Sequence, residues 1–559
     1  PGQWKVGGSG GSWSFTDIFN CNYFIDNVIP KWKEGLISGS ADNIKHYIGE
    51  MYFLRAYVYF SKLQEFGDFP MITKVLPDEK EPLIEASKRS PRNEVARFIL
   101  SDLDEANSLL LETSPDGKKN RISKSCAQLI KSRVALFEGT WLKYFKNTAF
   151  VPNGNGWPGK DKDYNANYQF SGGSIDNEIN WFLEQAMAAA KEVADKYKGQ
   201  LTLNTGVLQQ SSGDPANPYY DMFAAENMGN IPEVLLWRQY ALGLETHDLA
   251  LAANQGNWGV GVTRSYVQNF LMADGLPVYA HGAYADGDGY YMGDKTIADV
   301  RANRDSRLSL FLKEPGQKNI LIDGSSNLST LKRVEPYPGI IFSSDQERYP
   351  TGYALRKGVN FDVKYYSDMG AGYTGLAIYR AAEALLNYME ASYERNGSLD
   401  ASAREYWKLL RTRANVSDDI DATIAATDMS KEAENDWAAH SAGNLLTDKT
   451  LYNIRRERRS EFITEGIRYM DLRRWRAMDQ MLTKPYIPEG FHLWNTPMES
   501  WYTGLAPNVN VSPSTSSEYI RPFQITTDMK GYDGFRWKMA HYLEPVMIKQ
   551  FLLTSPDGK

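Results

Sequence analysis

Aromatic side chains set in glycine-rich stretches are the residues of this chain best placed to do chemistry. Trp258 stands in GNWGVG, Tyr279, Tyr284, Tyr290 and Tyr291 in VYAHGAYADGDGYYMGD, and Trp157 in PNGNGWPGKD. Glycine-rich backbone packs no core, so such rings are expected to face outward. A ring beside polar groups can then stack on the C–H face of a sugar. Asn257, Arg264, Asp286 and Asp288 are neighbours able to bond hydroxyl groups. Asp286, Asp288 and Asp294 also suggest a calcium site with a structural role, since calcium takes several carboxylate and carbonyl oxygens in a Gly-rich loop. The EF-hand pattern itself fails, because the twelfth position from Asp286 is Ile297 where a bidentate Glu is needed.

Other chemistries find less support. A glycosidase needs two carboxylates across a scissile bond, and 69 acids single out no pair. There is no GxSxG elbow, no Walker loop and no GxGxxG at a strand-to-helix junction. The six histidines show no HExxH spacing, and two cysteines, Cys21 and Cys126, make neither a disulfide framework nor a thiolate metal site. The reading is therefore a binding protein, not an enzyme.

The stretch Leu451–Leu482 concentrates charge, with eight arginines between Arg455 and Arg476 and the acids Glu457, Glu461, Glu465 and Asp471 among them. A basic strip can meet nucleic acid phosphate, or arginines and carboxylates can hold a buried helix pair. Glu457, Glu461 and Glu465 recur every four residues, and Arg458 and Arg468 lie three from Glu461 and Asp471, which favours pairing within the fold. A net charge of −7 also argues against a polyanion partner. The arginines lower the pKa of these acids, which suits structure and not proton donation. Gly466 is expected to stop the first helix, with Tyr469, Leu472 and Trp475 as the apolar stripe of the second.

The elements that must position the rings read as a helical scaffold. Helical spacing runs from Asp42 to Phe66, apolar on two faces, with Gly67 as stop. Ser90 and Pro91 read as N-cap and first residue of the next helix, Ser123 opens another, and a fourth spans about Asn177 to Lys198 before Gly199. From about Leu201 to Tyr373 the chain turns to short apolar runs among Gly, Pro, Asn and Asp, the pattern of functional loops. Helices resume with a stripe of Ile378, Ala381, Ala382, Leu385 and Met389 closed by Gly397, and a further helix ends at Ala414. The tail from Lys484 is irregular and ring-rich. This is a mainly α chain, helical hairpins in a TPR-like, α-α superhelical scaffold with long irregular excursions. It divides into a region 1–240 of helical hairpins and a region 241–559 with the loop-rich excursion and then helices, together one compact unit. No apolar run approaches the ~20 residues of a membrane helix. Gly7–Ser12, GGSGGS, reads as a flexible segment, native or introduced.

The string ERRSEFITEGIRYMDLRRW resembles the C-terminal signature of the SusD/RagB family, the surface lipoproteins with which Bacteroidetes capture nutrients. Further landmarks follow in the family's order: CNYFIDNV at Cys21–Val28, FLRAYVYFSKLQEFGDFPMI at Phe53–Ile72, MADGLPV at Met272–Val278, IYRAAEALLNYMEASYERNG at Ile378–Gly397, LLRTRAN at Leu409–Asn415 and YLEPV at Tyr542–Val546. The resemblance implies a TPR-like core and a non-catalytic glycan-binding lipoprotein of the outer membrane, surface-exposed and lipid-anchored. It implies a SusC-like TonB-dependent barrel as partner, which the protein closes as a lid while an oligosaccharide is delivered. It also implies stacking rings just before the CN-containing helix, at Trp4, and in the loops after the DG landmark, at Tyr279–Tyr291. The lipidated cysteine and first mature segment are expected upstream of Pro1. RagB-like members are associated with peptides, so a peptide carrier is the alternative, ahead of a secreted glycosidase. The ending QFLLTSPDGK departs from the Asn-Pro-Gly-Trp type of tail.

Overall fold

A computed structural model describes residues 6–256, 261–282, 288–341 and 348–554. The fold is mainly α. Helices α1 (Thr16–Lys33), α2 (Ala41–Phe66), the short α3 (Lys80–Ala86), α4 (Arg92–Leu109), α5 (Lys124–Tyr144) and α6 (Ile175–Tyr197) form the first run. Their packing is serial: α1 lies on α2, α2 on α4, α4 on α5 and α5 on α6. Each inner helix is apolar on two sides because it meets a neighbour on each. The stack continues from α6 to α7 (Ala382–Asn396), which packs on α8 (Ala401–Arg413) and α9 (Lys449–Glu461), while α10 (Arg468–Arg474) returns to α5. One core runs through these helices, from Ile18 through Phe137, Phe182 and Leu385 to Trp475 and Tyr542.

Local signals set several helix ends and tertiary contacts set others. The Ser40 hydroxyl accepts from the Asn43 N–H to cap α2, and Gly67, at φ 72°, ends it. Gly397, left-handed at φ 67°, ends α7. Helix α4 corrects the expectation: Pro91, not Ser90, is its N-cap residue, and its first N–H, on Arg92, is taken at 2.9 Å by the carboxylate of Asp68, 24 residues upstream. Helix α6 begins at Ile175 behind a Ser174 cap, two residues before Asn177. Ile378 is not helical at all. It lies in strand β2 (Leu376–Arg380), antiparallel to β1 (Val234–Arg238), because the edge offered by β1 satisfies its backbone.

The arginine-rich stretch is structural, but neither Arg458 nor Arg468 takes the acid three residues on; that spacing is used instead by Arg474 with Asp471 (2.9 Å) and Arg476 with Asp479 (2.8 Å). Helix α9 stops at Glu461, before Gly466, and Thr464 and Gly466 both take positive φ in the turn that follows. Arg458 Nε reaches Asp471 at 2.7 Å and Arg468 reaches Asp436 at 2.5 Å. Glu461 accepts from Arg307 at 3.1 Å and Arg380 at 3.0 Å, and pairs also with Arg413. Glu457 takes Arg307 and Arg411, Glu465 takes Arg380 and Lys357, and Glu233 takes Arg380 and Arg413. With Asp305 on Arg307 the network holds Glu233, Asp305, Glu457, Glu461 and Glu465 against Arg307, Lys357, Arg380, Arg411 and Arg413, a balanced set. Burial would push the Glu461 carboxyl up, and Arg413, Arg380 and Arg307 together hold it well below the usual carboxylate range. Tyr469, expected inside, is 53% exposed, while Leu472 and Trp475 are buried.

A second core, from Tyr219 through Phe311 and Tyr353 to Phe491 and Ile520, supports the loop-rich lobe. Here irregular segments lie side by side through backbone hydrogen bonds, Tyr349 N to Gly339 O (2.9 Å), Phe491 N to Thr351 O (2.8 Å) and Gly490 N to Ile520 O (2.8 Å). The GGSGGS segment has a defined place: Lys549 N donates to Gly8 O at 2.9 Å. Gly11 takes φ +79°, a left-handed conformation that favours glycine, and packs under the Met547 side chain.

Candidate functional site

The short helix Arg264–Asn269 lies between two polar patches of the loop-rich lobe. At its start the Arg264 backbone N–H donates to Glu489 O, and its Nη1 to Glu489 Oε2, both at 2.8 Å. The guanidinium carbon lies 3.5 Å from the centre of the Tyr519 ring, a close cation–π contact. The other oxygen of Glu489 accepts from Arg521 Nε (3.0 Å) and Nη2 (2.9 Å) and from the Ser517 hydroxyl (3.1 Å). The Tyr519 hydroxyl donates to Asp294 Oδ2 at 2.6 Å, and His492 Nδ1 lies 2.9 Å from Asp294 Oδ1. Burial raises the Asp294 pKa, and the bonds from His492 and Tyr519 outweigh it, leaving the carboxyl below its ordinary value. Tyr291 is half-buried in the same neighbourhood. Burial pushes its phenol up, with Arg304 opposing.

At the other end of the helix, Tyr279 stands on a 3-10 turn, Val278–His281. Its hydroxyl donates to Glu432 Oε1 at 2.7 Å and accepts from Asp428 N at 2.8 Å, and the Lys431 ammonium lies 5.0 Å from the ring centre. A cavity of about 30 Å³ between Tyr279, Gln268, Asn269 and Glu432 has room for about one water, not a sugar. Half-exposed Tyr290 tilts against His281 with ring centres 4.9 Å apart, and His281 Nδ1 meets Asp288 Oδ2 at 2.8 Å.

The structure thus brings Arg264, Tyr291 and Asp294 into one patch, sets Tyr290 and Asp288 together on His281, and places Tyr279 beyond the helix. Asp288 and Asp294 face different partners, and among the described residues no group of three metal-ligating side chains converges. Trp4, Asn257, Trp258, Tyr284 and Asp286 lie outside the described residues. Trp157 is a correction: it is 4% exposed, and its indole N–H donates to Asp68 at 2.7 Å, so neither ring face is open to a sugar. A glycine-rich surrounding misled here because Asp68, brought in from the end of α2, gives the indole a buried partner.

The residues that spacing did not reveal come from the ring-rich tail, with Tyr337 from the loop-rich excursion before it. Tyr519 and His492 complete the Arg264 patch. Tyr337 stacks on Trp501 with centres 4.5 Å apart and planes at 14°, and Tyr337 is 51% exposed. Its segment joins Tyr519's through the backbone ladder already described. The signal was the density of rings after Lys484, without anything local to say which face out.

The family described as the SusD family matches residues 210–527, and one described as starch-binding, associating with the outer membrane, matches residues 13–136. A SusD-like protein, P2, of Formosa agariphila is 32% identical over 121 residues, 21% of this chain and 23% of that relative's length, so the match spans under a quarter of it. A SusD-like carbohydrate binding protein from Bacteroides fragilis superposes with TM-score 0.59 at 17% identity, over 95% of this chain and 82% of that one. A structure solved with a xylogluco-oligosaccharide superposes with TM-score 0.50 at 16% identity, over 97% of this chain and 86% of that one. At these identities the superpositions show the shared fold.

Proposed function

We propose, from the premise that this chain belongs to the SusD family, that it is a non-catalytic, surface-exposed binding protein for an oligosaccharide. In this reading it is lipid-anchored at the outer membrane and works with a SusC-like TonB-dependent barrel, closing over it as a lid while the helical scaffold docks and the loop lobe grips ligand. The observation that carries the glycan reading is the outward ring of Tyr337, seated flat on Trp501. A rigid, exposed aromatic plane suits the C–H face of a pyranose, while an extended peptide asks for amide-bonding groups along its length. Arg264, Asp294 and Tyr519 support it, because each is held by other side chains before ligand arrives, which lowers the ordering cost of binding. Glu457 and Glu461, buried and paired with arginine, have carboxyl groups held below their ordinary values and are no general acids.

Calorimetry against a panel of polysaccharides and a mixed peptide pool tests this, with Tyr337→Ala, Arg264→Ala and, in the stretch Tyr279–Tyr291, Tyr284→Ala. Binding of one glycan, weakened at least about tenfold by the first two substitutions, is the expected result, the size of one lost hot-spot contact. Binding of peptides alone would move the protein to the RagB-like reading, and release of sugar products would make it a hydrolase.

A further inference from the structure

A second pocket opens on the helical lobe, at the edge of the first core. Its volume is about 270 Å³, and its walls come from five separate stretches of chain. Trp13, Tyr164 and Phe551 contribute rings, and Lys88, Arg89 and Lys162 contribute cations, with no acidic side chain in its lining. Lys88 is engaged by Glu85 at 2.6 Å; Arg89 and Lys162 form no ion pair among the described residues. Burial raises the pKa of the Asp68 carboxyl behind the wall, and the charge of Arg89 acts on it too, opposing that rise together with the Trp157 bond. The pocket lies just under the ~300 Å³ at which ligand-burying pockets begin, a size for one ring and not a chain.

The walls are built, not incidental. The buried Trp157 fastens its loop to Asp68, and the next turn carries Lys162 and Tyr164. Asn165 Nδ2 then donates to Arg89 O at 3.0 Å and holds that loop against the segment bearing Lys88 and Arg89. Phe551 is carried by the C-terminal helix Ile548–Thr554, whose start is tied to the amino-terminal segment through Lys549 N and Gly8 O at 2.9 Å. The segments bearing Trp13 and Phe551 therefore wall the pocket together.

We infer that this pocket is a second carbohydrate subsite, specific for an acidic sugar residue: a uronate whose carboxylate meets Arg89 and Lys162 and whose ring lies against Tyr164 and Phe551. An all-cationic set around an apolar floor asks for an anion on a C–H-rich body. Arg89 can meet a carboxylate with two parallel hydrogen bonds, and Lys162 adds a point charge. The ligand class rests on the glycan reading above, but the site is separate from Arg264 and Tyr337, so each can fail alone.

The test is calorimetry with trigalacturonate, its methyl ester as the neutral counterpart, and laurate as an apolar anion without a sugar ring. Arg89→Ala/Lys162→Ala removes the charge from exposed and half-exposed positions that hold no core contact, and Phe551→Ala removes one ring. The expected result is that trigalacturonate binds the wild type at least tenfold more tightly than the ester, weakens with salt, and loses at least tenfold in the double variant, while Tyr337→Ala leaves it unchanged. Absence of trigalacturonate binding, equal binding of the ester, an unchanged double variant, or laurate binding in place of the uronate would overturn the inference.

Discussion

Replacing Glu461 with Gln probes the scaffold directly. Glu461 is fully buried and accepts from Arg307, Arg380 and Arg413, inside a network of five acids and five bases whose charges cancel. Gln keeps the shape and removes one negative charge, which leaves the buried set with an uncompensated cation. Breaking a buried pair in this way costs about 3–5 kcal/mol. With an unfolding entropy of about 2.1 cal/mol/K per residue over 559 residues, and cooperative unfolding, Tm falls by roughly 3–4 °C. The sign of the pH dependence follows from the depressed carboxyl. Its stabilisation is fully present above the unfolded Glu value of about 4.3 and drains away as pH falls toward the lower folded value. The gap between wild type and Glu461→Gln is therefore largest near neutrality and narrows below about pH 4. Urea unfolding of both proteins at pH 7, 5 and 3.5 measures it. A gap under about 0.5 kcal/mol at pH 7, the scale of an ordinary surface change, would refute the reasoning, as would a gap that does not move with pH. Glycan binding at 25 °C is expected to be unchanged, since Glu461 reaches no surface.

Lys357, buried between Glu465 and the Phe223 ring, is pushed down to about 8 by burial, with Glu465 opposing. Its folded pKa lies below its unfolded value near 10.4, so the wild type gains on Lys357→Met by up to about 1.4 kcal/mol per pH unit as pH rises from 8 toward 10, and thermal scans across that range read the gain. Trp157→Phe takes the indole donor from buried Asp68 and costs about 1–3 kcal/mol. It leaves affinity for the glycan of the Tyr337 surface unchanged, and a fully folded Trp157→Phe protein that no longer binds that glycan would contradict the buried placement. Addition of EDTA is expected to shift Tm by less than about 1 °C, because Asp294 is held by His492 and Tyr519 and Asp288 by His281; a larger loss restored by calcium would place an ion there.

What the sequence by itself determined is what short-range physics sets. Amphipathic spacing predicts α2, α4, α5 and α7, and Gly67 and Gly397 stop their helices because a left-handed residue satisfies the last carbonyls wherever the helix sits. The stretch Leu451–Leu482 also declared its arginines structural, since so many cations beside acids and rings seek partners within the fold. Which partners they find was decided by the tertiary structure. Arg458 and Arg468 pass over the acids three residues away for Asp471 and Asp436, and Glu461 draws arginines from positions 307, 380 and 413, because buried charge is satisfied by proximity in space. The same cause moved the rings. Trp157 looks outward in sequence and is held inward by Asp68, Ile378 reads as helix and pairs with β1 as strand, and Tyr337 becomes a flat platform only when Trp501, far along the chain, comes beneath it. A loop's composition says that its rings lack local packing; only the assembled neighbours decide whether a ring is covered or left open to a ligand.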